Sequence, residues 1–211
     1  KPLIVFRQVK KLHTLKNNLR NGGTLTKYAF IGQRYFINYV IPGWPSLAFN
    51  RFIDHQLNRL SSAPIAGLGT LVFAITKKCG FKCAHCCEWN NLNQAEVLER
   101  NDLITIIKKF HALGIAQVQL SGGEPLNRLN DILHLLESAP KGIDFWMYST
   151  GFSLTREKAD LLKAAGLTGI TLSLDHFTPE LHDHFRGVKG SFKKTVQATQ
   201  LARDAGLMVC L

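Results

Sequence analysis

Three cysteines that stand close together are the residues most able to do chemistry in this chain. Cys79, Cys83 and Cys86 follow the spacing C-x3-C-x2-C within the stretch from Thr76 to Cys87. Thiolates are soft ligands that suit iron–sulfur clusters or zinc. Three cysteines around a cubane of four irons leave one iron without a protein ligand, and a metal site keeps such an open position to bind a substrate or cofactor. The spacing therefore predicts a metal centre with one open coordination position.

A structural zinc site is the alternative interpretation of the same stretch. His85 could complete a tetrahedral set with the three thiolates. Cys87 follows Cys86 directly, so in extended backbone the two side chains point in opposite directions and seldom serve one metal. The cysteine stretch alone leaves zinc and an iron–sulfur cluster both open, and the rest of the chain must decide between them.

Length and cysteine content point to a cytoplasmic globular protein. The chain has 211 residues, which is enough for one sizeable domain and an appendage. Its five cysteines are an odd number clustered at one loop, which argues for a reducing compartment and against a disulfide scaffold. No apolar run approaches the roughly 20 residues of a membrane-spanning helix. The chain starts at Lys1 and shows no signal peptide, so we expect a fragment or a processed chain.

The positive charge is concentrated in the N-terminal segment. Residues 1–60 contain ten Lys and Arg against one acid, Asp54, whereas the rest of the chain contains 16 basic and 14 acidic residues. Apolar periodicity predicts helices over residues 3–20 and from Ser46 to Leu60, so residues 1–66 read as a basic, aromatic-rich, mainly helical extension. Packing of this extension on the core is the first interpretation. Contact with an anionic membrane surface, on the inner face of the membrane, is the second, and we do not expect nucleic acid as a partner.

Strands and helices alternate through residues 67–211. Short apolar runs predict strands at 71–76, 117–120, 145–149, 170–174 and 207–211. Helical patterns predict a helix capped by Asn101 and ended by Gly114, one at 131–137, one capped by Thr155 and closed by Gly166, and one that starts at Ser191 and is stopped by Gly206. Such alternation indicates βαβ units and a parallel sheet. We therefore predict an α/β fold in which a partial (β/α)6 TIM-like barrel of parallel strands is truncated in strand five.

Polar and glycine residues follow the predicted strands at their C-terminal ends, where barrel folds place their chemistry. The cysteines follow the first strand; the residues at the ends of the next three are Gly122-Gly123-Glu124, Ser149-Thr150-Gly151, and Ser173 with Asp175. A zinc knuckle has no need of the ends of three other strands. The recurrence of such residues at the strand ends favours one shared site at the C-terminal end of the barrel.

Residues from about 70 to 211 resemble the radical S-adenosylmethionine (SAM) superfamily. Besides the cysteine spacing, Gly122-Gly123-Glu124-Pro125 matches the GGEP motif of that family. The resemblance implies that Cys79, Cys83 and Cys86 hold a [4Fe–4S] cluster whose open iron chelates SAM. It also implies that Gly122, Gly123 and Glu124 hold the SAM ammonium group.

Further residues extend the resemblance to the nucleoside and carboxylate ends of SAM. Ser173 and Asp175 are similar to the S-x-D of the fourth strand. The run from His182 to Gly187 resembles the H-D-x-x-R-G of the peptide- and cofactor-modifying (SPASM-like) branch, in which Arg186 would meet the SAM carboxylate. Ser149 takes the place of a polar residue on the third strand. His85 takes the place of an aromatic residue whose backbone meets adenine.

The activity that the resemblance implies is radical chemistry. One-electron reduction of the cluster cleaves SAM to a 5′-deoxyadenosyl radical, which abstracts hydrogen from a substrate that the sequence does not identify. Peptide modification is the first expectation, and lipid or cofactor biosynthesis comes next. The electron would come from a donor such as flavodoxin or ferredoxin. A zinc-binding or electron-transfer Fe–S module, with a membrane- or RNA-binding N-terminal segment, is the alternative outside this class.

Overall fold

The fold is taken from a computed structural model, which describes Lys10, Thr14 and residues 27–59 and 69–211. Lys10 and Thr14 are both helical, and the remainder of the helix predicted over residues 3–20 lies outside the described residues. None of the helices in the described ranges has the length and apolar character needed to cross a bilayer.

The described N-terminal segment contains a β hairpin followed by a helix. Strands β1 (Ala29–Ile31) and β2 (Arg34–Phe36) pair antiparallel, and helix α1 covers Leu47–Arg59. Gly32 and Gln33 connect the strands with φ angles of 55° and 61°, as the two central residues of a type I′ turn require. The sequence predicted a mainly helical extension and missed this hairpin, because strands of three residues are too short to show a period-two pattern.

The rest of the chain forms a parallel five-stranded sheet in sequential order. Its strands are β3 (Thr70–Thr76), β4 (Gln117–Gly122), β5 (Asp144–Ser149), β6 (Leu167–Leu172) and β7 (Met208–Cys210). Each strand pairs in parallel with the next one in the chain. The prediction of a barrel-type α/β fold is confirmed. Strand β6 ends at Leu172, two residues before the predicted end at residue 174, so Ser173 and Asp175 both lie in the loop that follows the strand.

Five helices connect these strands. Two of them begin at other residues than predicted, and a third was not predicted. The five are α2 (Arg100–Ala112), α3 (Leu129–Ser138), α4 (Arg156–Ala165), α5 (Pro179–Arg186) and α6 (Ser191–Asp204). Helix α2 begins after Glu99, which forms a capping box with Asp102, and not after Asn101 as predicted. Helix α3 begins two residues earlier than predicted, and α5 was not predicted. The cap predicted at Thr155 is confirmed, since its hydroxyl accepts from the Lys158 N–H.

The hydrophobic core lies between the sheet and these helices. Its fully buried members come from both layers and include Leu103, Ile107, Val118, Leu120, Ile132, Leu135, Met147, Leu162 and Ile170. Alternation along the strands sends these apolar side chains toward the helices and leaves the other face to residues such as Gln119 and Tyr148. The face away from the helices therefore carries polar side chains beside apolar ones, such as Val72 and Trp146.

The N-terminal segment packs against the N-terminal ends of the barrel strands. Arg34 of β2 pairs with Asp144 at the start of β5, and the Gly43 N–H donates to the same carboxylate at 3.2 Å. Gln117, at the start of β4, donates from Nε2 to the carbonyl of Tyr39 at 2.7 Å. The hairpin and the loop after it thus cover the N-terminal end of the barrel, opposite the cysteines. We call this part of the chain the floor of the barrel.

Candidate functional site

One open cleft at the C-terminal ends of the strands contains most of the predicted site residues. Its lining includes Cys79, Cys83, Cys86, His85, Gly122, Gly123, Ser149, Ser173 and Arg186, together with Ser121 and Tyr148. Glu124 and Asp175 are not among the lining residues, and their carboxylates accept from Ser149, Thr150 and Arg186. The fold therefore brings the ends of four strands and the cysteine loop to one place.

Asn93 fixes the backbone of the first cysteine. Its side-chain oxygen accepts from the Cys79 N–H at 3.1 Å, its side-chain nitrogen donates to the Cys79 carbonyl at 2.9 Å, and its own N–H donates to the Lys77 carbonyl at 2.7 Å. Asn93 has a φ angle of 61°, a left-handed conformation that asparagine tolerates better than most residues. Sequence reasoning missed this residue, and its only local signal was an asparagine in a stretch without helical periodicity.

The glycines of the Gly-Gly-Glu-Pro motif let two stretches of backbone touch. A Cβ atom on Gly122 would lie 2.3 Å from the Thr76 carbonyl oxygen, and one on Gly123 would lie 2.4 Å from the Lys78 carbonyl oxygen. The Gly123 N–H donates to Thr76 and the Glu124 N–H donates to Lys78, each at 2.8 Å. The resemblance assigned these glycines to the binding of the SAM ammonium group. In this structure, they allow the start of the cysteine loop to pack directly against the end of β4.

Glu124 is a buried carboxylate that ties β4 to β5. Its side chain accepts from Ser149 Oγ at 2.7 Å, from the Thr150 N–H at 2.8 Å and from Thr150 Oγ1 at 2.6 Å. It also accepts from the Leu126 N–H at 3.2 Å. Both carboxylate oxygens are therefore engaged by protein donors, and Glu124 is only 6% exposed. The hydroxyls of Ser149 and Thr150 point to this carboxylate.

The run from His182 to Gly187 fastens the cysteine loop and the end of β6. Two backbone N–H groups of the cysteine loop donate to carbonyls of α5. The Lys82 N–H donates to the Arg186 carbonyl at 3.3 Å, and the Ala84 N–H donates to the Phe185 carbonyl at 2.9 Å. Fully buried His182 accepts from the Asp175 N–H at 3.3 Å. The motif is thus a set of structural contacts around the site.

Arg186 and Asp175 form the charged centre of these contacts. Arg186 donates from Nε to Asp175 Oδ2 at 2.5 Å and from Nη1 to the sulfur of Cys83 at 3.4 Å. His85 Nε2 lies 3.8 Å from the other oxygen of Asp175, and its ring stacks on Phe185 with centroids 4.7 Å apart. Since Arg186 is 8% exposed, its guanidinium acts in a place largely shielded from water.

The Cys79 thiol loses its proton less readily than an ordinary thiol. Burial raises the pKa of the Cys79 thiol; the Phe81 N–H opposes this effect, and the nearby Glu124, Cys83 and Cys86 raise the pKa further. Bound iron would supply the positive charge that these thiolates need, so the soft donor set fits a [4Fe–4S] cluster. Within the described ranges, no three His, Cys, Asp or Glu side chains are grouped closely enough to hold a single metal ion.

Tyr148 is a cleft residue that the sequence analysis missed. Its hydroxyl donates to Gln119 Oε1 at 2.8 Å, and burial, with the neighbouring Tyr39 next in effect, raises the pKa of Tyr148 to about 12. The phenol is therefore neutral near pH 7 and presents an uncharged polar wall opposite the cysteines. Its position on the polar face of β5 was the available signal.

Comparisons with known proteins agree with this geometry. Residues 73–211 match the Radical SAM superfamily. The chain is 33% identical over 151 residues to the PqqA peptide cyclase of Ruegeria pomeroyi, covering 71% of this chain and 39% of that protein. It is 30% identical over 163 residues to the GTP 3′,8-cyclase of Xanthomonas campestris pv. campestris, covering 72% of this chain and 48% of the relative. The chain thus spans less than half the length of these relatives.

Solved structures show the same fold at low identity. SuiB of Streptococcus suis, in a crystal structure bound to S-adenosylmethionine, superimposes with a TM-score of 0.55 at 18% identity over 72% of this chain and 36% of that one. Methylornithine synthase superimposes with a TM-score of 0.54 at 16% identity over 77% of this chain and 49% of that one. The matched residues 73–211 cover the parallel sheet from the fourth residue of β3 onward and the cleft above it, and the chain belongs to the radical SAM superfamily.

Proposed function

We propose that this chain is the radical SAM part of an enzyme that abstracts hydrogen from an organic substrate. Cys79, Cys83 and Cys86 hold a [4Fe–4S] cluster, and SAM binds beside it in the cleft. The observation that carries the proposal is the shared cleft, in which three thiols face the ends of β4, β5 and β6 across an open space. A cluster with three protein ligands keeps one iron available for SAM.

The contacts divide the predicted site residues into two groups. Gly122, Gly123 and Ser173 line the cleft and would meet SAM directly. Glu124 and Asp175 act through other residues, because their carboxylates already accept from protein donors. Sequence resemblance assigned the SAM ammonium to Glu124. We assign Glu124 instead the role of holding the loop whose backbone carbonyls face that ammonium.

When bound, the cluster and SAM supply the electron transfer and the carbon radical, and the protein supplies position and exclusion of water. Arg186 holds Cys83, and through Asp175 it also holds the loop after β6. His85 stacks on Phe185 at the rim, where a planar group can cover the adenine. Tyr148 closes the cleft with a neutral hydroxyl that neither gives up its proton near neutral pH nor carries a charge toward the substrate.

Peptide modification is the substrate class that we favour, with cofactor or lipid biosynthesis next. The similarity to a peptide cyclase supports the first choice, and the similarity to a GTP cyclase supports the second. A one-electron donor such as flavodoxin or ferredoxin would reduce the cluster. These assignments concern a whole protein of which the chain spans a part.

Electron paramagnetic resonance tests the proposal. Anaerobically reconstituted protein is reduced with dithionite and measured without and with SAM, beside a Cys83→Ala variant. We expect a cluster signal that changes shape when SAM is added and that is lost in the variant. Stoichiometric zinc in place of iron would overturn the proposal, and so would a cluster signal that SAM does not change in a chain of the relatives' full length.

A second proposal concerns the exposed aromatic residues of the floor. Tyr28, Phe30, Tyr35 and Trp44 form one cluster, and the rings of Phe30 and Tyr35 pack with centroids 4.6 Å apart. Phe30 is 56% and Trp44 52% exposed. Together with the positive charge of residues 1–60, this cluster supports contact with an anionic membrane surface, since aromatic side chains and cations favour that interface.

Vesicle sedimentation tests the membrane contact. We expect the full chain to sediment with phosphatidylserine vesicles at low salt, and the Phe30→Ser, Trp44→Ser double variant to bind less. Trp89→Ser, which changes an exposed tryptophan beside the cysteines, is the control. Equal sedimentation of all three proteins, or none by the wild type, would contradict this contact.

A further inference from the structure

A groove lined by three lysines lies at the junction of α5 and α6. We call it the lysine groove, and its lining consists of Phe152, Lys189, Gly190, Lys193, Lys194, Val196 and Gln197. The side chains of Lys193 and Lys194 belong to the exposed surface of α6. Its lining shares no residue with the cleft proposed for SAM.

The positive charge of the lysine groove is not neutralised by nearby carboxylates. Residues 184–203 contain no Asp or Glu. Asp183, the nearest acid before them, is already engaged: it accepts from the Gly190 N–H at 2.5 Å, from Ser191 Oγ at 2.8 Å and from the Phe192 N–H at 2.8 Å. Within the described part of the chain, none of the three lysines forms an ion pair. The groove therefore attracts anionic surfaces.

Two contacts connect the wall of the groove to the cysteine loop. The Phe152 ring, 37% exposed in the groove, packs edge-on against the Phe81 ring with centroids 5.5 Å apart. The Phe81 N–H donates to the sulfur of Cys79 at 3.5 Å. On the other side, a Cβ on Gly187 would lie 2.8 Å from the Lys82 carbonyl oxygen, so the α5–α6 junction touches the loop directly. A partner in the groove would thus be separated from the Cys79 ligand by Phe152 and Phe81.

We propose that the lysine groove is the docking site for the acidic redox protein that reduces the cluster. This inference rests on the proposed function. An anionic flavin hydroquinone in the partner would give one electron to the oxidised cluster, which becomes reduced by one electron, and would itself become the neutral semiquinone with its N5 proton retained; no bond between the two proteins would form or break. Redox encounter complexes bury little surface and depend on charge complementarity for fast association, and a small basic groove beside a cluster ligand meets both conditions.

The experiment measures reduction of the reconstituted full chain by flavodoxin hydroquinone in a stopped-flow instrument. The variant is Lys193→Glu, Lys194→Glu. The control is Lys108→Glu, Lys109→Glu, which makes the same charge change at two exposed positions of α2. At low ionic strength we expect the second-order rate constant to fall about tenfold or more in the groove variant. Its dependence on salt should also flatten, while the α2 variant stays close to the wild type.

Two further readouts separate this inference from the proposed function. Iron content and the rate of reduction by dithionite should be equal in all three proteins, because dithionite needs no docking site. Line broadening of ¹⁵N-labelled flavodoxin should show weaker binding to the groove variant, whether or not electron transfer occurs. Equal flavodoxin rates in the wild type and the groove variant, or an equal loss in the α2 variant, would overturn the docking site. Failure to assemble any cluster in the wild type would instead overturn the proposed function.

Discussion

Arg186 donates a hydrogen bond to the sulfur of Cys83 across 3.4 Å while its Nε holds the carboxylate of Asp175. Arg186 and Cys83 are 103 positions apart in the chain. Hydrogen bonds and positive charge at the ligand sulfurs raise the reduction potential of an iron–sulfur cluster, because they stabilise the more negative reduced state. Arg186 thus links the loop after β6 to the electronic properties of the proposed cluster.

Replacing Arg186 with Gln should lower the reduction potential of the cluster. The variant loses a charge-assisted donor worth about 1.4 kcal/mol, which corresponds to about 60 mV for one electron. A redox titration followed by electron paramagnetic resonance measures the change. Arg156→Gln, which removes an exposed guanidinium on α4, serves as control. An unchanged potential in the Arg186 variant, or the same shift in both, would show that the guanidinium does not act on the cluster.

Replacing Gly123 with Ala should displace the cysteine loop. The new Cβ would meet the Lys78 carbonyl oxygen at 2.4 Å, and backbone cannot move aside as a flexible side chain can. We expect a loss of about 2 kcal/mol in the free energy of unfolding and reduced iron content after reconstitution. Gly80→Ala is the matched control in the same loop, because nothing lies within 4 Å of the position that its new methyl group would take. Comparable iron content in both variants would refute the packing role of Gly123.

Replacing Glu124 with Gln should weaken the junction of β4 and β5. An amide keeps one acceptor but presents N–H to the Thr150 N–H and hydroxyl, so at least one buried donor loses its partner. The expected cost is about 2 kcal/mol, measured by urea unfolding. Glu157→Gln, an exposed change in the first turn of α4, should stay within about 0.5 kcal/mol of the wild type. If Glu124→Gln is equally stable but binds SAM more weakly, the carboxylate meets the ligand directly.

Replacing Asp183 with Asn should remove a pH-dependent part of the stability. Burial acts to raise the pKa of Asp183, but donation from Phe192, Gly190 and Ser191 outweighs it, so the pKa lies below its usual value. A carboxylate with a lowered pKa stabilises the fold above the pKa of the unfolded chain and loses that effect as the pH falls through the folded value. We expect the variant to be about 1 kcal/mol less stable at neutral pH, with the difference closing below about pH 4. Urea unfolding across this pH range measures it, and a difference independent of pH would contradict the assignment.

The sequence alone was sufficient to predict the features of this protein that depend on residues close together in the chain. The spacing of Cys79, Cys83 and Cys86 predicted a three-thiolate site, and the apolar runs predicted five parallel strands with polar residues at their ends. These features are readable because strand and helix periodicity are local, and because a parallel sheet necessarily gathers the C-terminal ends of its strands.

The tertiary structure decided which residues touch each other. It directed the carboxylate of Glu124 to Ser149 and Thr150, turned Arg186 toward Cys83, and fixed Cys79 through Asn93. It also placed a β hairpin under the barrel and a lysine groove behind the cysteine loop. Side-chain direction in these contacts is set by packing between segments far apart in the chain, where buried donors and acceptors must find partners, and no local pattern records that choice.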